Sequence, residues 1–85
     1  MKHFVYILRS QKDASYYIGH TQDLDSRVER HNQGRVKYTK GKRPWELVYF
    51  EKYPDRSSAM AREAEIKKRK SKEFIASLVR TSRQS

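Results

Sequence analysis

Residues 16–31, YYIGHTQDLDSRVERH, decide how this chain folds. Tyr16 to His20 combine aromatic and β-branched side chains, the composition of a short strand. Asp23 then stands where a helix N-cap belongs. Beyond it Leu24, Arg27, Val28 and His31 recur at i, i+3, i+4 and i+7, which places them on one helical face. The inward face of such a helix should be apolar. Here it also carries a guanidinium and an imidazole, and a chain that turns those groups toward its own sheet needs a reason.

Outward from this stretch the pattern is regular. His3 to Arg9 is rich in β-branched and aromatic residues and is expected to be a strand. Polar Ser10 to Ser15 makes a hairpin loop to the second strand. The helix spans about 24–32 and stops at Asn32 to Gly34. A basic loop, RVKYTKGKR, runs from Arg35 to Arg43 and is closed by Pro44. Trp45 to Tyr53 is the strongest strand pattern, ended by Pro54. Asp55 or Ser57 caps a long helix whose charged end, KKRKSK, bends or frays near Ser71. A last short helix buries Phe74, Ile75, Leu78 and Val79, and residues 81–85, with no apolar side chain, are expected to be a disordered tail. The order β-β-α-β-α-α implies an α/β (α+β) fold: a three-stranded, mainly antiparallel sheet flanked by helices. The expected core is Val5, Ile7, Ile18, Leu24, Val28, Leu47, Val48, Phe50, Ala64, Ile66, Phe74, Ile75 and Leu78.

Eighty-five residues suffice for one domain, placed at 1–80. There is no cysteine, hence no disulfide and no thiolate metal site. The opening MKHFVYILRS lacks the pattern of a signal peptide, and no run approaches the ~20 apolar residues of a membrane span. The simplest expectation is a cytoplasmic, soluble protein, taken as a monomer. Its formal charge is +10, and the excess is clustered: residues 35–43 hold five basic and no acidic side chains, residues 56–85 nine basic and three acidic. Clusters of this kind suit a polyanion and favour nucleic acid over a merely solvated surface. A membrane-surface helix would need large apolar residues opposite the lysines, and the segment around KKRK offers mainly Ile66 and alanines.

Candidate site residues emerge from the same geometry. If the hairpin pairs Tyr6 with Tyr17, or with a residue two away, both phenols share a face; a one-residue slip would separate them. Gly19 shares the face of Tyr17, and a glycine inside a strand permits close approach to the backbone. A helix packed near these tyrosines would bring Arg27 and His31 to the same space, where an arginine is best explained by a bound phosphate; the bland alternative is that both snorkel to water. On the long helix Ala59, Glu63 and Ile66 lie at i, i+4 and i+7, so a carboxylate sits on an apolar stripe. It either pairs with Arg62, Lys67 or Arg27, the commoner outcome, or binds a hard cation. Glu65 is the alternative if the face is misassigned.

Tyr17-Ile18-Gly19, Tyr6 within Phe4-Val5-Tyr6, Arg27 eight residues after Gly19, and Glu63 within AREAEIKK together resemble the GIY-YIG nuclease domain, over about residues 3–80. The chain resembles most the small single-domain bacterial members. Phe4 departs from the first glycine of the name motif. The resemblance implies a metal-dependent endonuclease that hydrolyses phosphodiester bonds in nucleic acid, DNA being the first expectation. It implies one Mg²⁺ (or Mn²⁺) held by Glu63, with Tyr6 as general base on water, directly or as phenolate. Arg27 would stabilise charge on phosphorus, Tyr17 would position phosphate or water, and His31 would orient water or bind phosphate. His20, where some members carry lysine, would donate to phosphate, assist Tyr6 or simply be exposed. Arg35, Lys37, Lys40, Lys42 and Arg43 would track the bound strand; Tyr38 would stack on it or pack within the loop. The rival classes are a non-catalytic nucleic-acid-binding module and an adaptor that presents its basic helix to a protein.

Overall fold

The expected strands and helices form around a central strand. The structure, a computed structural model, describes residues 2–69 and 71–84, the side chains of residues 82–84 excepted. Strands β1 (His3–Ser10) and β2 (Tyr16–Thr21) form the hairpin, followed by helix α1 (Leu24–Asn32), a single 3₁₀ turn (Lys40–Lys42), strand β3 (Trp45–Tyr53), and helices α2 (Arg56–Arg69) and α3 (Lys72–Gln84). The strands lie in the order β2-β1-β3, and both pairings are antiparallel. No helix among the described residues is long and apolar enough to cross a membrane.

β1 reads as an almost unbroken apolar run because it is covered on both faces. Val5 and Ile7 join Ile18 and the Ala59, Ile66 and Ile75 of α2 and α3 on one side. Tyr6 and Leu8 join Trp45, with Leu24 and Val28 of α1, on the other. The register sets Tyr6 opposite Gly19 and Leu8 opposite Tyr17, so Tyr6 and Tyr17 share the α1 face. A bulge between Ile7 and Leu8 shifts β3 by one residue, bringing Leu8 against Leu47.

The helix ends follow from local chemistry. Asp23 Oδ1 accepts the Ser26 amide at 3.1 Å. At the other end of α1, Gly34 has φ +79°; its amide reaches the His31 carbonyl at 3.2 Å and the Arg35 amide the Arg30 carbonyl at 3.1 Å, a Schellman arrangement. Asp55, rather than Ser57, caps α2 by accepting the Ser58 amide at 2.7 Å. Ser71 Oγ accepts the Phe74 amide at 3.1 Å, so the expected bend is the start of a new helix. α3 continues to Gln84, over positions expected to be a tail, and Ser85 lies outside the described residues.

Two expected core residues are not in the core. Phe50 is 51% exposed, because α1 starts beside β2 and ends against Trp45 at the start of β3. The later half of β3 is left uncovered on that face, and Phe4 meets Phe50 edge-on at 5.9 Å. Ala64 is exposed because it follows Glu63 by one helical step, off the Ala59–Ile66 stripe. Tyr6, Leu8, Trp45 and Ala59 are buried in addition.

Candidate active site

His31 turns inward to meet one hydroxyl from β1 and one from the basic loop, while Arg27, half-buried, lines a cleft beside His20 and Thr21 of β2. His31 is wholly buried. Its Nε2 lies 3.1 Å from the Tyr6 hydroxyl and its Nδ1 2.7 Å from Thr39 Oγ1. Thr39 Oγ1 is also 3.4 Å from the Val36 carbonyl, to which it donates. That leaves Thr39 to accept from Nδ1–H, and Nε2 to accept from Tyr6. Burial first, then the charges of Arg27 and Arg30, hold the His31 pKa below its ordinary value. The imidazole is therefore neutral at neutral pH and can accept a proton. With both nitrogens engaged and no exposed surface, His31 meets Tyr6 and Thr39, not the phosphate or water expected for it.

Tyr6 is 1% exposed. A Cβ at Gly19 would stand 2.5 Å from its hydroxyl oxygen and 2.7 Å from Cζ, so the bare backbone at Gly19 makes room for the phenol itself. Burial raises the Tyr6 pKa well above its ordinary value; Tyr17 and Glu63 push the same way, and Arg27 opposes them. That burial disfavours a phenolate at Tyr6. Tyr17 lies beside it, ring centroids 6.3 Å from Tyr6 and 5.0 Å from His31.

Glu63 reaches the site from α2. Only 17% of its side chain is exposed, and its oxygens are divided between His20 Nδ1 and Lys67 Nζ, the latter at 2.7 Å. Burial would raise its pKa, but the hydrogen bonds from Lys67 and His20 outweigh it and hold the carboxyl below its usual range. Glu63 is thus ionised and close enough to Tyr6 to act on its charge. Among the described residues no three His, Cys, Asp or Glu side chains converge. One half-buried, ionised carboxylate, with water and a substrate phosphate as further ligands, still fits the habits of Mg²⁺. Glu65 is an outward partner of Arg62, with 60% of its side chain exposed.

The basic loop is partly committed to structure. Lys42 pairs with Asp13 at 3.4 Å, and Arg43 Nε donates to the Lys40 carbonyl at 2.9 Å. Arg35, Lys37 and Lys40 are exposed. Tyr38 is 86% exposed and lies 6.3 Å from Tyr17, so it stands out from the loop rather than packing within it. Tyr16, Tyr17, Tyr38 and Lys67 line one groove of about 550 Å³. Sequence reasoning missed Thr39, whose place depends on a distant partner: Trp45 Nε1 donates to its carbonyl at 2.9 Å, and the Asn32 side chain clasps the Trp45 backbone through Oδ1 at 2.6 Å and Nδ2 at 3.0 Å. Of the partners the sequence offered Glu63, Lys67 is the one that pairs with it, four residues along the same helix; the partner that sequence reasoning missed is His20, from β2.

Two phenols, an imidazole, a guanidinium and a carboxylate thus gather at the β2 edge of the sheet, and the family model of the GIY-YIG catalytic domain matches residues 2–75. The chain belongs to the GIY-YIG family. UPF0213 proteins of Staphylococcus epidermidis and Staphylococcus aureus are each 52% identical to it, over 67 and 66 residues, covering 78% and 76% of this chain and 80% and 79% of theirs. A UPF0213 protein of Bacillus halodurans, solved by solution NMR, is 42% identical and superposes with a TM-score of 0.56 over 92% of this chain and 85% of that one. Membership in the GIY-YIG family makes the domain nuclease-like in kind.

Proposed function

We propose that this GIY-YIG domain hydrolyses phosphodiester bonds in nucleic acid, DNA first, through Tyr6, Arg27 and Glu63. The observation that carries the reading is the directed chain from Tyr6 through His31 to Thr39. A water that donates to Tyr6 Oη loses its proton to the phenol as the phenol proton passes to His31 Nε2. No free phenolate forms at any point, which matches the raised pKa of Tyr6. The hydroxide oxygen attacks phosphorus as the bond from phosphorus to one sugar oxygen breaks; that oxygen leaves and takes a proton from solvent water to become a hydroxyl, and Arg27 neutralises the charge that builds on the phosphate oxygens. Tyr17 orients the phosphate from the same face. Glu63 would hold a divalent cation, Mg²⁺ or Mn²⁺, whose Lewis acidity would polarise the phosphate oxygens. The exposed Tyr38 and the basic loop would carry the adjoining strand.

A non-catalytic binding module is favoured by one observation: both Glu63 oxygens are already paired, with His20 and Lys67. Labelled linear, branched and single-stranded DNA and RNA, incubated with and without Mg²⁺ or Mn²⁺, separate the two. The nuclease reading expects metal-dependent cuts. It expects Tyr6→Phe, Arg27→Ala and Glu63→Gln each to lower the rate by at least ~100-fold in a protein that remains folded at the assay temperature. Salt-sensitive binding with no cut on any substrate, or full activity of Glu63→Gln, overturns it.

A further inference from the structure

We infer that a second phosphate-binding subsite lies beside the candidate active site, in the cleft between one face of α1 and the start of α2, formed by Arg27, Arg30 and Arg56; this rests on the nucleic-acid reading above. The cleft has a volume of about 440 Å³, and His3 and His20 also line it. Arg27 and His20 belong to both places, so the cleft continues the active site away from the tyrosine groove.

The arginines are what distinguish it. None of the three has a carboxylate within salt-bridge distance among the described residues. The fold does supply carboxylates where an arginine is structural: Arg62 forks onto Glu51 at 2.9 and 3.1 Å and also pairs with Glu65. Guanidinium groups that converge without a counter-ion repel one another, and their planar donors match the oxygens of a phosphate. One acidic side chain, Asp23, lines the cleft, and its Oδ1 is spent on the Ser26 amide at the start of α1. No tyrosine, phenylalanine or tryptophan lines the cleft, unlike the groove of Tyr16, Tyr17 and Tyr38 on the other flank. A strand crossing the site is therefore held through its phosphates on one side and through base faces on the other. The group bound is a phosphate of the strand, either an internal diester or a terminal monoester.

The test is oligonucleotide binding by fluorescence anisotropy without metal, across a salt series. Arg30 and Arg56 are exposed, so replacing them leaves the fold intact. The Arg30→Ala/Arg56→Ala protein is expected to bind about tenfold more weakly and to flatten the slope of log affinity against log salt by about 2. A control with equal charge loss, Lys72→Ala/Arg80→Ala on α3, should change both far less. Equal effects from the two pairs would overturn the subsite, leaving only bulk charge. Loss of affinity confined to 5′- or 3′-phosphorylated oligonucleotides assigns a terminal monoester; equal loss without an end phosphate assigns an internal diester, and both support the subsite. Cleavage is read separately. Metal-dependent cutting with indistinguishable arginine pairs removes the subsite and keeps the nuclease. A steep loss for Arg30→Ala/Arg56→Ala in a protein that cuts nothing keeps the subsite and removes hydrolysis.

Discussion

A methyl group at position 19 would have to share space with the Tyr6 hydroxyl, 2.5 Å from its oxygen. The obstacle is an aromatic ring held in a buried layer, not the free end of a flexible chain. Gly19→Ala should cost about 1–3 kcal/mol in chemical denaturation. It should also displace the phenol from His31 and suppress cleavage more than it lowers stability. His31 sets a pH dependence of its own. Its pKa in the folded state lies below the ordinary 6.5, through burial and the neighbouring Arg27 and Arg30; Tyr6, Tyr17 and Thr39 face it from the sheet and the loop. Between the two values the unfolded chain binds more protons than the folded one. The stabilisation is fully present above about 6.5 and is lost as pH falls through the lowered value. The cleavage rate should fall in the same direction, because a protonated Nε2 cannot accept from Tyr6. A rate that stays flat on acidification until the protein unfolds would remove His31 from the reaction. At this scale the sequence offered Tyr6, Tyr17, Arg27 and Glu63 as candidates, Arg27 and Glu63 by helical period, while the shared face of the two tyrosines depended on a hairpin register that only the structure supplies. Thr39 was hidden in a basic loop with no period, its position being fixed by Trp45 and Asn32.

Among the elements, the short linkers decide which faces meet. Ser71 is a few atoms of capping chemistry between two helices, and it directs Phe74, Ile75 and Leu78 back against the core. Ser71→Ala should lower unfolding free energy by about 1 kcal/mol, measured by urea titration, without affecting the Tyr6–His31 pair. The strand and helix bounds could be read in advance because apolar spacing and end signals agreed: Asp23 before α1, Gly34 after it, and Pro44 and Pro54 around β3. What could not be read was coverage. Phe50 sits on a strand as apolar as its neighbours, and only the diagonal course of α1 leaves it in solvent. Likewise Arg56 opens a helix remote in sequence from Arg27 and Arg30, and only the packing brings their cleft together.

For the whole molecule, a charge of +10 on 85 residues produces opposite responses to salt. Self-repulsion destabilises the compact state, so raising salt from about 50 to about 200 mM should raise Tm by a few degrees. The same change should weaken nucleic-acid binding by about tenfold for each pair of neutralised phosphates or more, read from the same preparation. A Tm that falls with salt would mean that attractive ion pairs, such as Arg62 with Glu51 and Glu65, outweigh the repulsion. β1 is the middle strand, bonded on both edges and roofed on both faces, and it carries Tyr6. Deuterium should therefore reach the Tyr6 amide among the last in the chain, while Arg27 and Glu63 ride on helices free to lift away sooner. On gradual heating, catalysis should fail while the sheet is still whole, and return on cooling without refolding from the beginning.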